Sequence, residues 1–360
     1  MLKHPTEVKE TERLAAEALR GLLEEIPPVV LQSIKIEQPA GIAQADVVAE
    51  IDVAGQHHVL VCEVKQSGQP RFIRNAIHQL RDYLRDFPKA TTPVVIAPYL
   101  SFDSRQLCIQ NGVSFLDLAG NVRLEFGTVF IDRLREDRRS PEVRELKSVF
   151  RPKSAQVLRV LFRDPTKRWK VVDLAKAASV SLGHASNVRN ALLNREWGEV
   201  GAEGFYLRSP NELLDAWKSA YVPPVAQRLT FYTTAHGDRL DRRVKELFDA
   251  VPENGNVALG SFSAAQWIAP YGRTSTLFLW SEEAEVDKIR DRLELSSSVK
   301  GENVVVSVTQ DKGIFFDVFA AEYRIRCTSP LQTYLDLSKG GERGEEAAEH
   351  LRRLRLSWQR

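Results

Sequence analysis

Apolar positions along the first third of this chain change rhythm several times, and each change predicts an element. Thr6 to Glu25 carries Leu14, Ala18, Leu22 and Ile26 at helical spacing, and Pro27-Pro28 ends that helix. Val29 to Glu37 reads as a strand. Val47 to Val53 and Val59 to Val64 are β-branched runs separated by Ala54-Gly55-Gln56, which predicts a hairpin. Arg71 to Leu84 returns to helical spacing through Phe72, Ala76, Leu80 and Leu84. Thr92 to Pro98 is a short apolar strand, and Ser101 to Gly112 a helix stopped by Asn111-Gly112. Val113 to Leu116 and Val122 to Phe126 are strands around the turn DLAGN. Strand, helix, strand alternation predicts an α/β sheet with helices on its faces.

A charge-dense stretch with a proline, Asp132 to Arg144, reads as a linker or as a solvated helix. Beyond it, Ser154 to Leu161 is an apolar-periodic helix and Trp169 to Val172 a short extended piece. Asp173 is placed to cap a helix that ends at Ser179. Ser181-Leu182-Gly183 opens the next helix, and Glu199 to Arg208 alternates around Gly201 and Gly204 like a hairpin. Leu213 to Tyr221 closes this segment, and Pro223-Pro224 marks a boundary. The last third returns to α/β: a helix over Arg239 to Ala250, a strand Val257 to Leu259 ending in Gly260-Ser261, and a helix over Ser263 to Ile268. Strands follow at Leu277 to Trp280, Val304 to Val308 and Ile314 to Val318, then helices at Ser329 to Leu337 and Gly344 to Leu356. The expected organisation is a multidomain α/β chain with domains at 1–140, 147–221 and 222–360.

Composition narrows this little. The chain has 360 residues, 43% hydrophobic and 27% charged, as in ordinary globular proteins. No apolar run approaches the roughly 20 residues needed to span a bilayer. No hydrophobic region follows the N-terminal charges, so no membrane association and no signal peptide are expected. Cys62, Cys108 and Cys327 fit no metal spacing, which suggests a reducing, cytoplasmic setting. The net charge of +2 leaves any nucleic-acid argument to local distribution.

Candidate chemistry sits first on the hairpin. Asp46 opens one strand, while Glu63 and Lys65 lie two apart on the other and so share a face. Two carboxylates could hold Mg²⁺, which takes oxygen ligands and keeps several waters. The metal would polarise a phosphate, and the lysine would offset developing charge or orient water. The competing reading is a solvated charge pair at a sheet edge. Asp, hairpin, Glu-x-Lys and a helix with Gln79 together resemble the PD-(D/E)xK nuclease superfamily, a restriction-endonuclease-like α/β fold. The resemblance implies catalytic roles for Asp46, Glu63, Lys65 and Gln79, with Asp46 and Glu63 as metal ligands. It also implies an extra acid, for which Glu12 or Glu17 would serve. The proline usual before the Asp is replaced by Ala45. Asp117 and Asn121 are either polar neighbours of this site or only a turn.

The middle segment carries the second constellation. Helix, helix–turn–helix, hairpin is the winged helix–turn–helix pattern. Its second helix would enter the major groove with Ser181, His184, Ser186, Asn187, Arg189 and Asn190 near base edges. Lys147, Arg151, Lys153, Lys167, Arg168 and Lys170 would contact phosphates of double-stranded DNA. The stretch VVDLAKAASVSLGHASNVRNALLNREW resembles bacterial winged-helix regulators. In the last third, strand, Gly-Ser, helix resembles a nucleotidyltransferase. The following strand, TLFLW, lacks the paired acids of that family, leaving Asp317 as the one well-placed acid, so the domain reads as a degenerate, non-catalytic copy. From Lys147 onward, ending in SPLQTYLDLSKGGERGEEAAEHLRRL, the chain resembles the AbiEi family of type IV toxin–antitoxin antitoxins. That resemblance implies a DNA-binding autoregulator or a defence-linked protein, for which a cognate nucleotidyltransferase toxin is a candidate partner. The flanking domains would serve as scaffold, partner surface or homodimer contact. The leading expectation is a sequence-specific DNA-binding regulator or antitoxin. The alternatives are a Mg²⁺-dependent endonuclease guided by the winged helix, and a protein–protein scaffold.

Overall fold

The computed structural model describes residues 5–40, 43–85, 90–135, 148–252, 255–272, 274–297, 301–320 and 324–358. Lys147 and positions 136–147, most of the expected linker, lie outside them. The chain divides into two compact units, 1–146 with 190–196 and 147–189 with 197–360. The architecture is mixed α/β with several sheets.

The first unit begins with α1 (Pro5–Glu24). Strands β1 (Val29–Ala40), β2 (Ala43–Val53) and β3 (Gln56–Val64) form an antiparallel meander. Helix α2 (Pro70–Tyr83) crosses to β4 (Thr91–Ala97), and α3 (Phe102–Gln110) crosses to β5 (Ser114–Asp117). β3, β4 and β5 run parallel. β6 (Val122–Phe126) and β7 (Val129–Arg133) finish a seven-stranded sheet in sequential order. Side-chain alternation splits its core in two. Val47, Ala49, Ile51, Leu60 and Cys62 pack with Ala15, Leu19 and Leu23 of α1. Val48, Val59, Val61 and Val95 pack with Ile73, Ala76, Ile77 and Leu80 of α2.

The expected linker starts too early. Asp132 and Arg133 belong to β7, and Asp132 pairs with Arg123 across the strands at 2.7 Å. Charge density hid this strand, because an edge strand with an exposed face carries charge without apolar alternation.

After residue 147, α4 (Pro152–Arg163), α5 (Val171–Ala177) and α6 (Leu182–Asn194) precede a hairpin of β8 (Gly198–Gly201) and β9 (Gly204–Leu207). Asp173 lies inside the first turn of α5 and is not its cap; Lys170 holds that position, because Trp169 is tied by a backbone bridge to Phe205. After α7 (Pro210–Ala220) comes β10 (Gln227–Phe231), α8 (Asp238–Ala250), β11 (Val257–Leu259), α9 (Ser261–Ile268) and β12 (Leu277–Ser281). Then follow α10 (Val286–Arg292), β13 (Val304–Val308), β14 (Phe319–Ala320), β15 (Arg326–Cys327), α11 (Pro330–Leu337) and α12 (Gly341–Arg355). The six strands β10 to β15 form a mixed sheet in the order β10-β13-β12-β11-β15-β14.

The strand expected over Ile314 to Val318 is absent. Asp311 accepts from the Gly313 N–H at 2.9 Å and caps a short 3₁₀ turn over Lys312–Phe315. Asp317 takes a left-handed φ of 57°, which no strand tolerates, and pairs with Arg163 at 2.6 Å. The acid expected to survive from a nucleotidyltransferase site is therefore held in a structural ion pair off the sheet. Gly260 is a close-packing position, since a Cβ there would lie 2.5 Å from the Trp280 ring.

Candidate functional site

Asp46, Glu63, Lys65 and Gln79 converge under α2. Alternation along β2 and β3 turns Asp46 and Glu63 to the face that α2 covers. One oxygen of Asp46 accepts from the Val64 N–H at 2.7 Å, which pins the aspartate to the end of β3. The Lys65 ammonium donates to one Glu63 oxygen and, at 2.7 Å, to the Gln79 side-chain carbonyl. Glu63 is only 2% exposed, and its second oxygen is buried with no hydrogen bond of good geometry among the described residues, although the Tyr83 hydroxyl is close enough to favour the charged carboxylate. Burial pushes its carboxyl up to about 7, the Asp46 charge pushes the same way, and Lys65 pulls it back. The pair thus carries more negative charge than Lys65 alone neutralises.

The same geometry tests the cation. Among the described residues no three Asp, Glu, His or Cys side chains gather into a metal cage. An unmet buried carboxylate oxygen beside a second carboxylate suits Mg²⁺, which uses one or two carboxylates and keeps waters for the rest of its shell. It suits Ca²⁺ less well, since that ion collects more protein oxygens.

Tyr83 is the neighbour that sequence reading missed. It is buried, and its hydroxyl is pushed up to about 12, by burial first and by the Glu63 charge next. Its signal was present: Tyr83 follows Gln79 by one helical turn and shares its face. Of the two candidate extra acids, Glu12 is buried on α1, beside Thr11, whose hydroxyl accepts from Gln66 at 3.0 Å. Glu17 is exposed and paired with Arg13. Asp117 and Asn121 form a closed turn: Asp117 accepts from the Leu100 N–H at 3.0 Å and from the Asn121 backbone and side-chain N–H groups at 2.9 and 2.8 Å. The turn reading holds for them.

On α6, Ser181 accepts from the His184 N–H at 3.2 Å and caps the helix. Ser181, Asn187 and Asn190 are exposed, and Ser186 and Arg189 half-buried. His184 is half-buried, and its ring Nε2 lies 3.2 Å from the Ser154 hydroxyl of α4. Lys153 and Lys170 are exposed at the starts of α4 and α5. Beside them, Lys167 lies 4.1 Å from the Trp169 ring and Arg168 3.4 Å from the Tyr206 ring on the hairpin. Aromatic faces thus hold two cations at the surface.

Residues 206–356 match the family described as "Transcriptional regulator, AbiEi antitoxin, Type IV TA system". The resemblance of the C-terminal part to that family is thereby established over those residues. No curated protein matches the chain. Among solved structures, the chain is similar to a repair endonuclease from Pyrococcus abyssi at 18% identity, over 28% of this chain and 46% of that one, with a TM-score of 0.22. It is similar to EndoMS in its apo form at 16% identity, over 29% and 45% of the two chains, TM-score 0.22. For an EndoMS–dsDNA complex the figures are 17%, 29%, 44% and 0.23. This chain spans less than half the length of each. No helix among the described residues is long and apolar enough to cross a membrane.

Proposed function

We propose that this protein is a double-stranded-DNA-binding transcriptional regulator of the antitoxin type. In this reading α4 to β9 form a winged helix–turn–helix, and β10 to α12 form a degenerate nucleotidyltransferase-like domain that contacts a partner toxin. The observation that carries it is the antitoxin-regulator match over 206–356, which begins within β9 of the hairpin and follows the three helices. Exposed side chains along α6 support it: Asn187 and Asn190 have the amide groups that pair adenine in the major groove. In this reading Arg168 and Lys170 would neutralise phosphates.

The test is an electrophoretic mobility shift on DNA from the protein's own promoter. Asn187→Ala/Arg189→Ala should weaken specific binding by about 1–3 kcal/mol per lost base contact and relax the sequence preference. Lys170→Ala should weaken all sequences alike and reduce the salt slope by about one. Affinity unchanged in the double variant removes the reading.

A second reading is favoured by the convergence of Asp46, Glu63, Lys65 and Gln79: a Mg²⁺-dependent endonuclease guided by the same helices. Mg²⁺ held by Asp46 and Glu63 would act as a Lewis acid on a phosphate oxygen. Lys65, fixed by Glu63 and Gln79, would hold its ammonium where charge develops on the phosphate. Plasmid and linear DNA incubated with Mg²⁺ should be cut by the native chain and not by Lys65→Ala. Equal cutting by both, or none by the native chain, eliminates this function.

A further inference from the structure

The second unit holds a cleft of about 330 Å³ whose wall includes Phe150, Arg151, Arg159, Trp217, Tyr221 and Asp311. None of these residues has a part in the site under α2. Arg159, on α4, is 4% exposed. Its Nη2 donates to the side-chain carbonyl of Gln332, but Nε and Nη1 are buried without a hydrogen-bond partner among the described residues. A guanidinium has five N–H groups and accepts nothing, so the Nε–H and both hydrogens of Nη1 are unmet. Leaving donors of a buried cation unmet is among the costlier defects a fold can carry.

Neighbouring groups do not repair the defect. Tyr221 donates its hydroxyl to Asp336 at 2.7 Å and receives Gln332 Nε2 at 2.7 Å, so it is occupied on both sides. Asp336 accepts from Tyr221, from Gln332 and, at 2.8 Å, from the Trp280 indole. Asp311 attracts Arg159 through space but spends an oxygen capping the Lys312–Phe315 turn. The Trp217 ring, 5.5 Å from the guanidinium carbon, offers a π face and no lone pair.

The cleft wall itself carries two arginines and one aspartate, leaving one positive charge. Its remaining surface is largely apolar: Phe150 stacks on Trp217 at 5.8 Å and 14°, with Ala155, Val222 and Pro224 nearby. The volume is at the small end of ligand sites, enough for one ring and a head group. We infer that this cleft is a binding site for a small organic anion. Its carboxylate or phosphate head accepts from Arg159 and Arg151, and its apolar body lies against the aromatic wall. Val222 and Pro224 join α7 to β10, so such a ligand would occupy the junction between the helix–hairpin segment and the mixed sheet.

The experiment uses the full chain, with calorimetric titration and thermal unfolding in parallel. The probes are benzoate, phenyl phosphate and the uncharged benzamide, with sodium chloride at matched ionic strength. Benzoate or phenyl phosphate should bind saturably and raise the melting temperature; the tighter of the two identifies the head group. Benzamide and chloride should do neither. Arg159→Gln should lose roughly tenfold in anion affinity, the scale of a lost charge-assisted contact. If Arg159→Gln does not fold, Arg151→Gln and Asp311→Asn decide: the first should weaken anion binding and the second tighten it by about threefold. Benzamide binding as well as benzoate overturns the inference. So does the absence of saturable anion binding, or affinity unmoved by the arginine and aspartate changes.

Discussion

Gly68→Ala should destabilise the first unit by about 3 kcal/mol or more, the largest effect of any single methyl group here. A Cβ at Gly68 would lie 1.8 Å from the Tyr99 carbonyl oxygen and 2.8 Å from its carbon. Both are backbone atoms, so no rotamer change relieves the overlap. Gly68 is also bridged to Leu100, and its own carbonyl accepts from the Ser104 hydroxyl at 2.5 Å. That pinch joins the end of β3 to the start of α2, and so sets where Gln79 meets Lys65. The control is Gly21→Ala on α1, where a Cβ meets nothing within 4 Å; it should stabilise by up to about 1 kcal/mol. Urea unfolding of the two variants checks this. Equal stability would show that the backbone at Gly68 yields easily.

Glu63→Gln should stabilise the first unit at pH 8 by roughly 3 kcal/mol, a figure from which the Lys65 attraction is already subtracted. The native carboxyl titrates near 7, against an ordinary value of 4.5. At about 1.4 kcal/mol per pH unit, the gap corresponds to roughly 3 kcal/mol. Because the native value lies above the unfolded one, the native state binds more protons between those pH values. Stability therefore falls as pH rises from about 4.5 to about 7, and the full cost of the buried charge persists above that. Gln carries no such charge, so the variant should lose this dependence, and Lys65 keeps its bond to Gln79. Mg²⁺ should raise the stability of the native chain at pH 8 and leave Glu63→Gln unmoved. Denaturant unfolding at pH 5 and pH 8, with and without Mg²⁺, measures all of this. Parallel pH profiles in the two chains would show that Glu63 is not the buried charge described here.

Much of the first unit was legible because its signals are local. β-branched runs fix β2 and β3, and a period of two places Glu63 and Lys65 together whatever surrounds them. A helical period then carries Gln79 to the covered face of α2, and one more turn would have found Tyr83. The boundaries of α2, β4 and β6 came from the same patterns. Where a residue's role depends on distant partners, pattern reading failed. Asp317 looked like a strand carboxylate until Arg163 claimed it. The contact between His184 and the Ser154 hydroxyl of α4 was likewise not legible in the pattern. Ile314 to Val318 is apolar enough for a strand, yet a side-chain cap at Asp311 bends it into a turn.

Residue patterns alone gave β2, β3, α2 and the shared face of Glu63 and Lys65, because backbone sterics and side-chain period act over a few residues; β7, β10 and α10 were not legible that way. Which charges are spent and which are left unmet came from packing between distant segments. The near-neutral titration of Glu63 and the orphaned donors of Arg159 both come from burial among residues remote in the chain, where a low dielectric turns a missing partner into a large energy.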